Sequence, residues 1–140
     1  MNAILEQIQK IGIVPVVVIN DEKDAVPLAK ALCAGGLPCA EVTFRTAAAA
    51  GAIKAMTDAF PNMCVGAGTV LNVEQVHAAY EAGAKYIISP NTNEAVIKET
   101  VKLGMISIPG AMTPTEIEQA YSWGAHIVKL FPADDLGAHY

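Results

Sequence analysis

The chain has 140 residues, of which 53% are hydrophobic and 16% are charged, and its formal net charge is −5. This composition predicts one soluble globular domain with enough apolar material for a core. The nine Lys and Arg residues form no cluster, which argues against a nucleic-acid partner, because phosphate contacts need clustered basic side chains. The longest apolar run, residues 13–19, is too short to cross a membrane, and the N-terminus lacks the charged-then-apolar pattern of a signal peptide.

The cysteines and histidines give no indication of a metal site. The three cysteines, Cys33, Cys39 and Cys64, have neither metal-ligand spacing nor the even number of a disulfide framework. The histidines lie on a helix, at the start of a strand and near the chain end, so we assign none of them chemistry. We therefore expect a cytoplasmic protein with reduced thiols, no metal and no cofactor.

One pattern repeats along the chain: a short apolar run, a polar turn, an amphipathic helix and a glycine. The apolar runs, in chain order, span residues 12–19, 38–44, 63–70, 86–89, 105–110 and 126–131. Strands that alternate with helices pair in parallel, and a long regular series favours a (β/α) barrel over an open sheet. We therefore predict an α/β fold of the (β/α)8 TIM-barrel type, with about six of the eight β/α units present. We expect residues 1–140 to form a single domain, truncated at its C-terminal end, whose first and last strands are unpaired.

The helix boundaries carry specific signals. Asn72 precedes an amphipathic segment as an N-cap would, and either Thr92 or Asn93 does the same for the next helix. Thr113, followed by a proline and then by Glu116, predicts an N-cap with a capping box. Glycines follow four of the helices, where a left-handed residue ends a helix. A further short helix is predicted before the first strand.

Two charged residues lie within strands that are otherwise mostly apolar. Lys129 interrupts the run from Ile127 to Phe131, which predicts a strand buried on both faces, and Lys is almost never fully buried unless it is paired or used. Because side chains alternate between faces, residues 39, 41, 43 and 45 of the second strand face the barrel interior. Glu41 and Lys129 are therefore both expected to project inward, toward the C-terminal mouth where barrel active sites are built.

Two interpretations of this pair remain open. In the first, Glu41 and Lys129 form a structural ion pair inside the barrel, although desolvation offsets most of the attraction between buried charges. In the second, Phe131 and the apolar walls desolvate Lys129 and favour its neutral amine. A neutral amine can attack a carbonyl to form a Schiff base, and a carboxylate in a partly apolar site suits proton transfer.

Other inward positions suit a small anionic substrate. The segment 65–71 is glycine-rich where a strand meets a helix, so its backbone can approach a ligand closely. It is not a dinucleotide-binding fingerprint, because the third glycine after Gly66 and Gly68 is missing. Arg45, at a strand end, is either solvated or able to hold a carboxylate through a bidentate contact. Pro90 lies where a strand stops and suits a turn.

Five motifs along the chain closely resemble those of one family. They are EVTFRT (41–46), VGAGTVL (65–71), ISPNT (88–92), IPGAMTPTE (108–116) and VKLFPAD (128–134). On these motifs the chain resembles the bacterial 2-keto-3-deoxy-6-phosphogluconate (KDPG) / 4-hydroxy-2-oxoglutarate (KHG) aldolases, which are class I enzymes on a TIM barrel. The resemblance covers all 140 residues in order.

The resemblance implies Schiff-base chemistry without a metal. Lys129 corresponds to the Schiff-base lysine, and Glu41 corresponds to the general acid/base of carbinolamine formation and C–C cleavage. The other site residues that it implies are Arg45 and Thr69 at the pyruvyl carboxylate and Pro90 and Phe131 in the pocket wall. The implied partner is a small-molecule 2-keto acid, with no nucleic acid and no membrane, and the implied assembly is a homotrimer.

Three functions remain open at this point. The first is cleavage of KDPG to pyruvate and glyceraldehyde 3-phosphate, of KHG to pyruvate and glyoxylate, or of both. The second is a sister aldolase acting on 2-keto-3-deoxy-6-phosphogalactonate, since Asn91 stands where many members carry Gly and the phosphogalactonate enzymes show Asn. The third is a non-catalytic, self-associating barrel fragment. Members of the resembled family continue through a seventh and an eighth strand with a glycine-rich phosphate site.

Overall fold

The computed structural model describes residues 3–140, in which helices alternate with strands. The helices are α1 (Ala3–Ile11), α2 (Ala25–Ala34), α3 (Ala49–Ala59), α4 (Val73–Glu81), α5 (Glu94–Lys102), α6 (Pro114–Ser122) and α7 (Ala133–Leu136). The strands are β1 (Val16–Val17), β2 (Cys39–Thr43), β3 (Cys64–Gly68), β4 (Tyr86–Ile88), β5 (Ile106–Ile108), β6 (Gly110–Ala111) and β7 (Lys129–Leu130). A short 3-10 turn, Glu22–Asp24, precedes α2.

The strands pair in parallel, as predicted from their alternation with helices. Five of them form one sheet in the order β1-β2-β3-β4-β5, and β6 pairs with β7. The fifth predicted strand is divided into β5 and β6 at Pro109, a residue that has no N–H for a ladder hydrogen bond. The wall nevertheless continues past this point, because Gly110 N–H donates to the Ser89 carbonyl at 2.9 Å. Each of the six predicted strand regions therefore contains at least one strand.

The helix caps also follow the sequence. The side chains of Asn72 and Asn93 each accept a hydrogen bond from a backbone N–H in the first turn of α4 and α5. Thr92, the alternative to Asn93, instead donates its hydroxyl to the Gly110 carbonyl at 2.7 Å. Thr113 and Glu116 form the predicted capping box of α6. The cap contacts of Asn72, Asn93 and Thr113 each lie within one helical turn, which is why the sequence predicts them.

The two faces of the sheet pack against different partners. Ala40, Val42, Val65 and Ala67 point outward and form one core cluster with apolar residues of helices α2 to α5. The inner face carries a second cluster, composed of Cys39, Cys64, Tyr86, Ile88, Ile106 and Ile108. Apolar side chains of α1 pack against this second cluster, so the N-terminal helix covers one end of the interior. Among residues 3–140 no helix has both the length and the apolar character that a membrane span requires.

The predicted burial of the last strand on both faces is wrong. Ile127 and Val128 pack against core clusters, but Leu130 is 38% exposed and Phe131 is 39% exposed. The reason is that β7 pairs only with β6 within residues 3–140, so its other edge is open. At the opposite end of the wall β1 is also an edge strand, and Val16 is 53% exposed.

Candidate active site

Glu41 lies in the middle of β2, on the inner face of the sheet. Its register partners are Val16 on β1 and Gly66 on β3, and its side chain is only 4% exposed. Among the described residues, no group donates a hydrogen bond to its carboxylate. Burial raises the pKa of this carboxyl, and the positive charges of Lys129 and Arg45 offset only part of that effect. The carboxyl is therefore able to hold a proton more readily than an exposed Glu.

Lys129 is the first residue of β7. Its backbone N–H donates to the Pro109 carbonyl at 2.9 Å, which fixes the strand against the β5–β6 region. Its Nζ lies 4.7 Å from the centroid of the Phe131 ring. The side chain is half-buried, and the ring that was expected to desolvate it is itself partly exposed. Residues 3–140 therefore enclose the amino group less than the sequence predicted.

The ion-pair interpretation of Glu41 and Lys129 is wrong for the described part of the chain. No nitrogen–oxygen distance of 4.0 Å or less joins them among residues 3–140. The two groups still interact, because Lys129 lowers the pKa of Glu41 more than Arg45 does. Lys129 is thus close enough to influence the carboxyl group, but no ion pair holds the two groups together.

Arg45 and Thr69 follow the carboxyl ends of β2 and β3. Arg45 is exposed and forms no ion pair or side-chain hydrogen bond with any described residue, so its guanidinium is available to a ligand. Thr69 has φ of 56°, a left-handed conformation that non-glycine residues rarely adopt. Such conformations cost of order 1–3 kcal/mol and cluster at functional sites. The backbone conformation of Thr69 therefore agrees with its predicted place in a functional site, and it does so independently of the sequence motifs.

Pro90 and Phe131 complete the set of predicted residues. Pro90 lies two residues after the end of β4, and a Cβ on Gly110 would lie 2.3 Å from its carbonyl oxygen, so the two backbones are in close contact. Phe131 directly follows β7 and is joined to Pro132 by a cis peptide bond. The loops after β2, β3, β4 and β7 meet at the carboxyl edge of a parallel barrel wall, which is where barrel enzymes place their active sites.

Sequence reasoning missed what the two glycines of β3 do. The glycines were predicted to let a ligand approach the backbone, but the space above them is occupied by the chain itself. A Cβ on Gly66 would lie 2.2 Å from the Tyr86 ring, and one on Gly68 would lie 2.0 Å from Oε1 of Glu41. The alternation of side chains in CVGAG could have revealed this packing, because it places both glycines on the same face of the strand as Cys64.

The cysteines and histidines lie outside the set of predicted site residues. All three cysteines are free thiols. His77 on α4 pairs through Nε2 with Glu99 on α5 at 3.1 Å, and Nδ1 of His126 accepts a hydrogen bond from Ser107 N–H at 3.2 Å. Across residues 3–140 no three His, Cys, Asp or Glu side chains are grouped as a metal site would need.

Comparison with known proteins identifies the same family as the motifs. The family model for KDPG and KHG aldolases matches residues 4–139. The chain is similar to the 2-dehydro-3-deoxy-phosphogluconate aldolase of Treponema pallidum (strain Nichols), with 45% identity over 137 residues that cover 98% of this chain and 65% of the relative.

Solved structures support the fold. The KDPG aldolase of Zymomonas mobilis ZM4 with 3-phosphoglycerate superimposes with a TM-score of 0.89 at 38% identity, over 98% of this chain and 65% of that chain. The KDPG aldolase of Legionella pneumophila, with pyruvate captured at low pH as a covalent carbinolamine intermediate, has a TM-score of 0.83 at 38% identity, over 89% of this chain and 60% of that chain. The predicted TIM-barrel type of α/β fold is confirmed, and the chain spans 65% of its Treponema relative's length. The chain belongs to the KDPG and KHG aldolase family.

Proposed function

We propose that this protein is a class I aldolase that cleaves KDPG to pyruvate and glyceraldehyde 3-phosphate, KHG to pyruvate and glyoxylate, or both. The observation that carries the proposal is the pairing of a buried, unbonded Glu41 with Lys129, whose charge acts on it without forming an ion pair. The covalent pyruvate carbinolamine named for the Legionella relative is the type of intermediate that a lysine amine forms. No metal is needed for this chemistry.

Lys129 supplies the nucleophile. In the proposed reaction its neutral amine adds to the C2 ketone of the substrate and forms a carbinolamine. The carbinolamine hydroxyl then takes a proton and leaves as water, which gives an iminium. The positively charged iminium withdraws electrons from the C3–C4 bond, so this bond can break while its electron pair moves toward nitrogen.

Glu41 moves the protons. As an acid it protonates the departing hydroxyl, and as a carboxylate it then accepts the proton of the C4 hydroxyl while the C3–C4 bond breaks. An aldehyde leaves, and pyruvate remains on Lys129 as an enamine. Glu41 returns its proton to C3 of the enamine, and water hydrolyses the resulting iminium to pyruvate and free amine. Burial suits both roles, because a raised pKa lets the carboxyl hold a proton at a higher pH than an exposed Glu can, and so act as an acid as well as a base.

The remaining residues hold the pyruvyl end of the substrate. We assign the carboxylate to Arg45, whose guanidinium has no partner among the described residues, and to Thr69, whose left-handed backbone sits beside it at the carboxyl edge. Pro90 and Phe131 provide apolar walls. The phosphogalactonate substrate stays an alternative, because Asn91 stands where many family members carry Gly and the phosphogalactonate enzymes show Asn. The residues that contact the far end of the substrate decide between the two substrates.

The experiment that tests the proposal is borohydride trapping. The protein is mixed with pyruvate and borohydride, and intact and peptide masses are measured. A reduced pyruvyl adduct on the peptide that contains Lys129, absent from Lys129→Ala, supports the proposal. The matched control is Lys54→Ala, because Lys54 lies on α3 in an exposed ion pair with Asp58 and should leave the adduct unchanged. A folded sample with no adduct refutes aldolase activity for this polypeptide.

A self-associating, non-catalytic fragment is the second candidate. It is favoured by the open edges of β1 and β7, where Val16, Leu130 and Phe131 are exposed, since unpaired strand edges template association.

A homotrimer in the cytoplasm is the assembly and location that we propose, and the free cysteines agree with a reducing compartment. Analytical ultracentrifugation, run beside the trapping assay, separates the candidates: a defined oligomer without an adduct supports the fragment.

A further inference from the structure

The inner face of β3 has no side chain over the length where Glu41 lies beside it. β2 and β3 pair in parallel, with Glu41 opposite Gly66 and Thr43 opposite Gly68. Because side chains alternate along a strand, both glycines belong to the inner face. Each glycine leaves a space that a side chain from a neighbouring strand fills.

Tyr86 fills the space above Gly66. A Cβ on Gly66 would lie 2.2 Å from the Tyr86 ring, so the ring rests directly on the bare backbone of β3. The side chain starts on β4, crosses β3 and donates its hydroxyl hydrogen to the Ala40 carbonyl on β2 at 2.8 Å. Because the ring is fully buried and is hydrogen-bonded at its far end, it occupies the space that Glu41 would otherwise enter.

Glu41 fills the space above Gly68 instead. A Cβ on Gly68 would lie 2.0 Å from Oε1, 2.5 Å from Cγ and 2.6 Å from Cδ of Glu41, all closer than Cβ atoms approach in real structures. Gly68 is two positions nearer the carboxyl end of β3 than Gly66. The side chain therefore leans toward the edge where Arg45 and Thr69 lie. No hydrogen bond from the described residues fixes the carboxylate, so packing sets its position.

We propose that Gly68 is a positioning residue for Glu41, because its missing side chain forms a slot that aims the carboxyl at the reacting edge of the barrel wall. The catalytic part of this inference rests on the proposed function of Glu41. The slot leaves the carboxylate's lone pairs free for proton transfer, which hydrogen bonds would have occupied. Any side chain at position 68 would push the carboxyl out of the slot, and a misplacement of about 1 Å lowers a rate by about 100-fold.

Thermal denaturation tests the slot without any activity. Gly68→Ala is made in the parent chain and in a Glu41→Ala background, where the clashing side chain is gone. Gly68 has no left-handed φ, so alanine suits its backbone. We expect the substitution to lower Tm in the parent and to be tolerated in the Glu41→Ala chain. An equal loss in both backgrounds overturns the proposal, as does a Gly68→Ala/Glu41→Ala chain that fails to fold while Glu41→Ala folds.

Gly35→Ala serves as the matched control. A Cβ on Gly35 would meet its nearest neighbour at 3.4 Å, an ordinary contact, and φ there is −79°. Its effect on Tm should be the same with and without the Glu41 side chain.

Deuterium exchange at the pyruvate methyl group tests the catalytic consequence. We expect Gly68→Ala to keep the borohydride-trapped adduct on Lys129 while its exchange rate falls about 100-fold and the pH profile of exchange shifts. Gly35→Ala should match the parent in both assays. An unchanged exchange rate and profile in Gly68→Ala overturns the positioning role. If the parent shows neither adduct nor exchange, the proposed function fails, and the denaturation comparison still decides whether the slot exists.

Discussion

A Glu41→Gln substitution tests the electrostatic cost of the proposed acid/base. The Glu41 side chain is only 4% exposed, and no described residue donates a hydrogen bond to it. Burial raises the pKa of this carboxyl from its ordinary value of 4.5, and the charges of Lys129 and Arg45 oppose the rise without cancelling it. Gln has nearly the same shape as Glu and no charge. The substitution therefore keeps the packing and removes the cost of burying an ionised carboxylate.

The sign of the pH dependence follows from the raised pKa. The stability linked to Glu41 is fully present below the unfolded value of 4.5 and is lost as the pH rises through the folded pKa. A tenfold difference in acidity between the folded and the unfolded chain is worth about 1.4 kcal/mol. We therefore expect Glu41→Gln to raise the free energy of unfolding at pH 7 by about 1–2 kcal/mol, or Tm by about 3–8 °C.

Thermal denaturation, followed by circular dichroism, measures this difference at pH 7 and at pH 4. The stabilisation should be largest at pH 7 and should shrink toward zero in acid. Glu116→Gln is a control of opposite sign, because backbone N–H groups of Met112 and Thr113 lower the pKa of Glu116. That variant should be less stable than the parent at pH 7. A Glu41→Gln protein that is less stable than the parent at pH 7, or equally stabilised at both pH values, would refute the reasoning.

Two further measurements test the helix cap of α6 and the half-buried His126. Thr113→Ala removes the capping side chain of α6 and should lower the free energy of unfolding in urea by about 1 kcal/mol; no change would contradict the assigned cap. Burial lowers the pKa of His126 from 6.5. Its contribution to folding stability is therefore fully present above pH 6.5 and is lost as the pH falls through the folded pKa. The parent should therefore lose more Tm between pH 7 and pH 5 than His126→Leu, and equal slopes would contradict this account.

The regular elements were predictable because they depend on residues close together in the chain. The capping box joins Thr113 to Glu116, three residues away, and needs only the backbone geometry of one helical turn. The strand regions follow from short apolar runs, and their parallel pairing follows from the intervening helices. Strand alternation likewise predicted that Glu41 points inward, because a side chain's face is fixed by its position in the strand.

The exposure of the last strand was not predictable from its own residues. A run such as Ile127–Phe131 contains the apolar side chains of a buried strand whether or not neighbours cover it. Its burial depends on strands at both edges, and within residues 3–140 β7 has a partner at only one. Leu130 and Phe131 are therefore exposed, although the sequence predicts an interior strand.

The sequence alone determined the alternation of strands and helices, the caps and the two charged residues that stand out within apolar strands. Only the tertiary structure decided how Glu41 is held. The contacts that hold it join residues far apart in the chain: Tyr86 reaches Ala40 across 46 positions, and Glu41 lies on Gly68 of the next strand. Which side chain fills the space above a glycine depends on the strand register and on which neighbouring side chains compete for that space. No single segment of the sequence determines either.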